Sequence, residues 1–214
     1  ITDFSAQVLG PILRSIVAGI EDDLIDTISA ATYALTETFS EADPLGSVLA
    51  ARKALNKCYA PMNDRVFACG ADIEELILKD LANRESGAPS AENALQDATV
   101  GKYGGFRIVS VPGLAPDEAY AFHKSAFVLS SRAPAVPGGV AWGESGSAGG
   151  FAIRVIKDYD ASHLTDRVIG NCYIGSDVVY DDGALNNDEQ FFPEDGSGSG
   201  SPILVRAVKL TKGS

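Results

Sequence analysis

The chain has 214 residues, 45% of them hydrophobic, and a net charge of −12, so it can form one large domain or two small ones with real cores. The acidic balance argues against a nucleic-acid groove, which needs clustered Lys and Arg to displace counterions from phosphate. The sequence has no run of about 18 apolar residues that could cross a membrane, and no signal-peptide pattern. Its three cysteines lack the spacing of a metal site, which is typical of buried thiols in a reducing cytoplasm.

The first thirty residues carry the strongest periodic pattern. Apolar residues recur there every four positions, which is the spacing of one helix face. We predict a long helix over residues 5–30, with a kink or restart near Gly10, because Pro11 removes one hydrogen bond of the ladder. The acidic run at residues 21–23 falls in the middle of this helix and predicts a solvated or partner-facing surface. The apolar positions are Phe4, Val8, Ile12, Ile16, Ile20, Leu24 and Ile28.

The next part of the chain alternates helix and strand signals. Residues 45–57 and 71–82 have the mixed and one-sided apolar faces of helices. Between them, the sequence RVFAC at residues 65–69 predicts a short buried strand. The polar stretch 83–99 contains Gly and Pro and predicts a loop.

From residue 100 the sequence favours β-structure. Alternating patterns predict strands at residues 106–111 and 119–130, and a Gly-rich loop follows at 134–150. The last predicted elements are a long β-hairpin of residues 151–159 and 167–180, a loop at 181–200 and a strand at 203–210. Helices that precede strands without βαβ alternation predict an α+β fold with an antiparallel or mixed sheet.

The sequence offers little catalytic chemistry. Asp158, Asp160 and His163 resemble part of a metal site, but no fourth ligand follows and Asp is common in hairpin turns for backbone reasons. No phosphate-binding glycine motif is present, and the Ser in GESG at residues 143–146 lacks the spacing of a nucleophile elbow. We therefore predict no catalytic, cofactor-binding or metal-binding residues.

Four stretches of the sequence carry a family resemblance. The first two are DFSAQVLGPILRSIVAGIEDDL at residues 3–24 and APMNDR at 60–65. The other two are AYAFHKSAFVLSSRAPAVPGGVAW at 119–142 and FAIRVIKDYDASHLTDRVIGNCYIG at 151–175. In this order they resemble the spine helix, the approach to the first axial-domain strand, the AFHK-x-AF stretch and the long hairpin of tailed-bacteriophage major capsid proteins. The resemblance is in particular to the coat proteins of short-tailed phages.

The resemblance implies the α+β capsid fold shared by tailed phages and herpesviruses. Its peripheral domain would consist of a long spine helix in residues 1–38 and the β-hairpin in 149–182. Its axial domain, a mixed sheet flanked by helices, would comprise residues 39–148. A flexible loop at 183–202 would lead to a closing strand of the axial domain at 203–214.

The same resemblance implies a structural function. Many copies would self-assemble as hexamers and pentamers into an icosahedral shell, the virion capsid, inside the host bacterial cytoplasm. The shell encloses phage DNA without sequence-specific binding, scaffolding and portal proteins are its further partners, and neither an enzyme activity, a cofactor nor a membrane is involved. The family also has an N-terminal arm and an extended loop before the spine helix, whereas this sequence starts almost at the helix. We therefore expect a fragment or truncated chain that folds but assembles poorly.

Three surfaces are predicted to contact neighbouring subunits. They are the solvent side of the spine helix, the hairpin tip DASHLTD at residues 160–166, and Trp142 in its Gly-rich loop, since exposed aromatic residues often anchor interfaces.

Two alternatives remain open at this point. An encapsulin-like nanocompartment shell protein resembles phage capsids but encloses cargo enzymes, and its gene neighbours would differ. A small metal-dependent hydrolase using Asp158, Asp160 and His163 would hold a stoichiometric divalent metal.

Overall fold

A computed structural model describes residues 7, 9–84, 101–148, 151–186, 188–193 and 201–213. These residues form a mixed α/β structure with three helices and many strands, including the predicted mixed sheet. The predicted absence of βαβ alternation is wrong, because residues 65–69 and 106–110 are parallel strands connected through a helix. The elements in chain order are α1 (Gly10–Ala30), β1 (Tyr33–Phe39), α2 (Pro44–Lys57), β2 (Arg65–Cys69), α3 (Ala71–Arg84), β3 (Lys102–Tyr103), β4 (Phe106–Ser110), β5 (Glu118–His123), β6 (Phe127–Arg132), β7 (Trp142–Ala148), β8 (Phe151–Asp160), β9 (Thr165–Asn171), β10 (Tyr173–Val178), β11 (Asp181–Leu185), β12 (Phe191–Pro193) and β13 (Ser201–Lys212).

The chain divides into two compact units, each built from two separate stretches of sequence. Unit 1 comprises Ile1–Thr27 and Val128–Asp177. Unit 2 comprises Ile28–Phe127 and Val178–Ser214. Each unit therefore combines parts of the chain that are far apart in sequence.

Unit 1 consists of a helix, a three-stranded antiparallel sheet in the order β7-β8-β9 and the two-stranded sheet of β6 and β10. Helix α1 starts at Gly10, with Pro11 in its first turn, and residues 7 and 9 just before it have π-helical conformation. The α-helix thus begins at Gly10, where the sequence predicted a kink or restart. Residues 1–6 and 8 of the predicted helix region lie outside the described residues. A Cβ at Gly170 of β9 would overlap Ile12 and come within 3.1 Å of Ile16 Cδ1, so glycine lets α1 lie close to this strand.

Unit 2 is built on a mixed sheet in the order β12-β11-β13-β5-β2-β4-β3, with β1 also paired to β13. Strand β13 runs parallel to β1 and antiparallel to β5, and β2 runs parallel to β4. Its core contains side chains of β1, α2, β2, α3, β4 and β13, and none of them is exposed to solvent. They include Phe39, Val48, Leu55, Phe67, Ile73, Ile77, Phe106, Val208 and Leu210.

Several strand predictions need correction. The prediction missed β1 altogether, although its sequence YALTETF alternates buried and exposed residues. A single strand predicted at residues 119–130 is two strands, because the chain turns at residues 124–126. The second hairpin strand, predicted at 167–180, is likewise divided into β9 and β10, and β10 pairs with β6 instead of β8.

Two predicted loops contain strands. Trp142–Ala148 (β7) lies in the Gly-rich stretch 134–150, where pairing with every residue of Phe151–Lys157 outweighs the weak strand preference of Gly and Ser. Residues 183–202, predicted as a flexible loop, include β12 and parts of β11 and β13. Residues 85–100, 149–150, 187 and 194–200 of the predicted loops lie outside the described residues.

Candidate assembly surfaces

The solvent side of α1 is the first predicted interface. One face of this helix packs on unit 1, and the opposite face exposes Ala18, Gly19, Asp22 and Asp26. Small residues and short acidic side chains leave this face flat, so that a partner can approach the helix backbone.

The third acid of the mid-helix cluster, Asp23, has an internal role. Its carboxylate accepts a hydrogen bond from Ser176 Oγ of β10, and Thr27 Oγ1 lies 2.6 Å from the same hydroxyl oxygen. Thr27 Oγ1 also donates to the Asp23 backbone oxygen at 3.0 Å. These bonds fasten β10 to α1, so Asp23 is not part of the exposed acidic surface.

The second predicted interface is the tip of the β8–β9 hairpin. Asp160 organises the turn: its Oδ1 accepts from the Ser162 N–H at 2.9 Å, and its Oδ2 lies 3.1 Å from His163 Nδ1. The hydrogen bond with His163 and the Ser162 N–H lower the pKa of the Asp160 carboxyl below its ordinary value. The turn is thus held by its own side chains.

Leu164 is the apolar feature of this tip. Its side chain is 76% exposed, and its backbone adopts a left-handed conformation with φ of 53°. A bulky residue with positive φ is strained, and such strain is concentrated at functional positions. An exposed leucine held in this conformation at the end of a hairpin is a suitable anchor for a protein contact.

Trp142, the third predicted interface residue, is the first residue of the edge strand β7 instead of a loop residue, and it is 49% exposed. It lines an apolar groove of about 360 Å³ in unit 1 together with α1 and β8. The other lining residues are Leu9, Leu13, Glu144, Gly146, Ser147, Phe151, Ile153 and Val155.

A fourth apolar surface was not predicted from the sequence. The β6–β10 ribbon exposes Val128 and Leu129 on one strand and Tyr173 and Ile174 on the other. Because neighbouring residues of a strand point to opposite faces, both faces of the ribbon carry exposed apolar side chains. The adjacent apolar pairs, which break the usual alternation, are the sequence signal that indicates such a ribbon.

The proposed metal-binding trio is engaged in the hairpin itself. Asp160 and His163 bond to each other in the turn, whereas Asp158 Oδ2 accepts from Arg167 Nη2 at 3.3 Å. Within the described ranges no three His, Cys, Asp or Glu side chains are placed to hold a metal ion. The geometry therefore gives the hydrolase alternative no support.

A cavity of about 670 Å³ in unit 2 is lined by three polar side chains that bond to one another, Ser125, Asp181 and Arg206. Arg206 forms an ion pair with Asp181 and donates through Nη1 to Ser125 Oγ at 3.1 Å. Ser125 Oγ lies 2.7 Å from Nδ1 of the buried His123, and burial lowers the pKa of this histidine. These groups bond mainly to each other, as expected of side chains with a structural role.

None of the helices that the structure describes is long and apolar enough to cross a membrane. No protein-family model and no curated protein sequence matches this chain.

Solved structures do match. A structure from Mycobacterium phage Che8 has a TM-score of 0.55 and 19% sequence identity, covering 97% of this chain and 65% of that chain. The capsid structure of the cyanophage P-SCSP1u has a TM-score of 0.58 and 12% identity, covering 99% of this chain and 67% of that one. This chain thus spans about two thirds of the length of the structures that it matches. It has the fold of these phage structures, which confirms the resemblance seen in the sequence at the level of the fold.

Proposed function

We propose that this chain is a capsid subunit of a tailed phage, many copies of which form an icosahedral shell around the phage DNA. The supporting observation is the similarity to the cyanophage capsid structure over 99% of this chain. On this proposal the subunit assembles into hexamers and pentamers, works with scaffolding and portal proteins, and resides in the virion after assembly in the host cytoplasm. The function is structural and requires no catalytic group.

The two compact units correspond, on this proposal, to the two domains of a capsid subunit. Unit 1 contains α1 and the long β8–β9 hairpin, which suits the peripheral domain. Unit 2 contains the mixed sheet and its two helices, which suits the axial domain. This assignment moves residues 28–38, which include most of β1, from the predicted peripheral domain to the axial domain.

Electron microscopy tests the proposed function directly. The protein is expressed from its complete reading frame and studied by negative staining and light scattering, alone and with a scaffolding partner. We expect closed shells, or rings of six and five subunits. A protein that stays monomeric at high concentration under both conditions would contradict the proposal.

The variant Leu164→Gly tests the hairpin tip as an assembly contact. Glycine adopts the left-handed conformation freely, so the isolated subunit should gain up to about 1 kcal/mol of stability. Assembly should nevertheless weaken, because the exposed anchor is lost. Thermal unfolding measures the first effect, and light scattering measures the second.

Leu49→Ala is the control, since Leu49 is an exposed leucine of α2 outside the four surfaces. It should leave assembly unchanged. If Leu164→Gly assembles as well as the original chain, the tip is not a contact.

A further inference from the structure

The β3–β4 hairpin presents two cations side by side. Lys102 and Arg107 are directly opposite each other in the antiparallel register, and both are exposed. The next pair, Tyr103 and Phe106, is buried in the core of unit 2, so the hairpin is firmly held. Like charges at directly opposite positions repel each other and destabilise the pair of strands.

A third cation lies at the turn of the same hairpin. Arg52 of α2 donates through Nη1 to the Gly104 backbone oxygen at 3.2 Å. We call Arg52, Lys102 and Arg107 the basic hairpin. Among the residues that the structure describes, no Asp or Glu forms an ion pair with any of these three.

The exposed side of α1 carries the opposite charge. Glu21, Asp22 and Asp26, which we call the acidic face, are all exposed, and they too form no ion pair within the described residues. Asp22 and Asp26 are four residues apart on the helix, a spacing at which like charges repel. A Cβ at the adjacent Gly19 would have no heavy atom within 4 Å, so a partner can reach this face closely.

We propose that the basic hairpin of one copy binds the acidic face of α1 in a neighbouring copy. This inference rests on the proposed function and names one contact of the assembly. In the isolated chain, each surface is destabilised by repulsion between its own like charges. Binding of the two surfaces between copies would offset both repulsions. Charge complementarity of this kind also selects the register of two subunits.

The basic hairpin suits a second copy better than it suits nucleic acid. A phosphate-binding surface needs a cluster of cations on a protein with a favourable overall field. Here only three cations are grouped, and the net charge of −12 repels phosphate.

Charge reversal with rescue tests the pairing. One variant combines Lys102→Glu with Arg107→Glu, a second combines Asp22→Lys with Asp26→Lys, and a third carries all four changes. At low salt, each two-residue variant should raise the protein concentration required for assembly about tenfold or more. The four-residue variant should return close to the original concentration, because the two surfaces have exchanged their charges. High salt should reduce the difference among all the proteins.

Two controls separate an assembly contact from a structural role. Lys53→Glu with Lys79→Glu changes the net charge by the same amount at two other exposed positions, both outside the four candidate surfaces, and it should assemble like the unsubstituted protein. Asp22→Asn with Asp26→Asn removes the helix repulsion, so its melting temperature should stay the same or rise while assembly weakens. A lower melting temperature with unaltered assembly would assign these acids a structural role and overturn the inference.

The remaining outcomes are distinguishable. If the original chain assembles and charge reversal has no effect, the inference fails and the proposed function stands. If the four-residue variant is as weak as its two parents, the two surfaces do not pair. If the purified protein retains DNA in a salt-sensitive manner that Lys102→Glu with Arg107→Glu abolishes, the hairpin binds nucleic acid. If the protein from the complete reading frame never assembles, alone or with a scaffolding partner, the proposed function itself fails.

Discussion

Gly70→Ala is expected to destabilise unit 2 by about 3 kcal/mol, because the backbone leaves no room for a side chain at this position. Gly70 joins β2 to α3; its N–H donates to the Glu118 oxygen at 3.0 Å, and its oxygen accepts from the Glu74 N–H at 3.1 Å. A Cβ here would overlap the Ala115 carbonyl oxygen and come within 2.8 Å of Pro116 Cα. Since these are backbone atoms, no change of side-chain rotamer can relieve the overlap.

Urea unfolding of the isolated subunit measures this loss of stability. Gly19→Ala is the matched control, because Gly19 lies inside α1 and has open space around its Cβ position. The same substitution there should raise stability by about 0.5–1 kcal/mol, the usual preference of a helix for alanine over glycine. Equal stability of the two alanine variants would show that the backbone of residues 115–116 lies less close to Gly70 than described.

Phe67→Ala is expected to cost about 3–5 kcal/mol, as usual for removing a fully buried aromatic ring. Phe67 lies at the centre of β2, is 0% exposed and meets the Phe106 ring edge-on, with the ring centroids 6.1 Å apart. The substitution leaves a cavity between the sheet and its helices and also removes this aromatic contact.

Thermal unfolding followed by near-ultraviolet circular dichroism measures the effect of Phe67→Ala. Phe192→Ala serves as the control, because the Phe192 side chain is 51% exposed and its removal should cost less than about 1 kcal/mol. If both variants melt at the same temperature, the core of unit 2 is not centred on β2.

Local patterns determined which elements could be predicted from the sequence. Residues 65–69 were predicted as a buried strand and coincide with β2, because turn residues bound this short apolar run on both sides. Helix α2 was predicted one residue short; its N-cap, Asp43, accepts from the Gly46 N–H at 2.9 Å. Elements with their own start and stop signals are thus predictable without knowledge of the rest of the fold.

The elements that were missed depend on distant partners. Strand β1 is defined by its parallel pairing with β13, which lies far along the chain. Strand β7, with the sequence WGESGSA, has little intrinsic strand preference and is defined by β8. The sequence of β7 carries no record of that pairing, so it was predicted as a loop. Residues 33–38 of β1 were instead assigned to the spine helix segment 1–38, whereas the helix ends at Ala30.

For the candidate surfaces too, local sequence signals were predictable and features set by the three-dimensional structure were not. The hairpin tip was predicted correctly in position, but the left-handed backbone of Leu164 required coordinates. The basic hairpin escaped notice, although Gly104 and Gly105, both with positive φ, are the expected central residues of a tight β-hairpin turn. Treating this glycine pair as a turn would have placed Lys102 beside Arg107.

The position of β13 has a consequence for how the protein is made. The ribosome synthesises β1 and β5 long before β13, yet β13 is the strand that joins them. At a translation rate of about 5–20 residues per second, β1 waits roughly 10–30 seconds for its partner. During that time the nascent chain carries unpaired strand edges, and adjacent chains on the same message can pair with them. Production of this subunit therefore depends on chaperone capacity, and slower translation before β13 should lower the yield of folded protein.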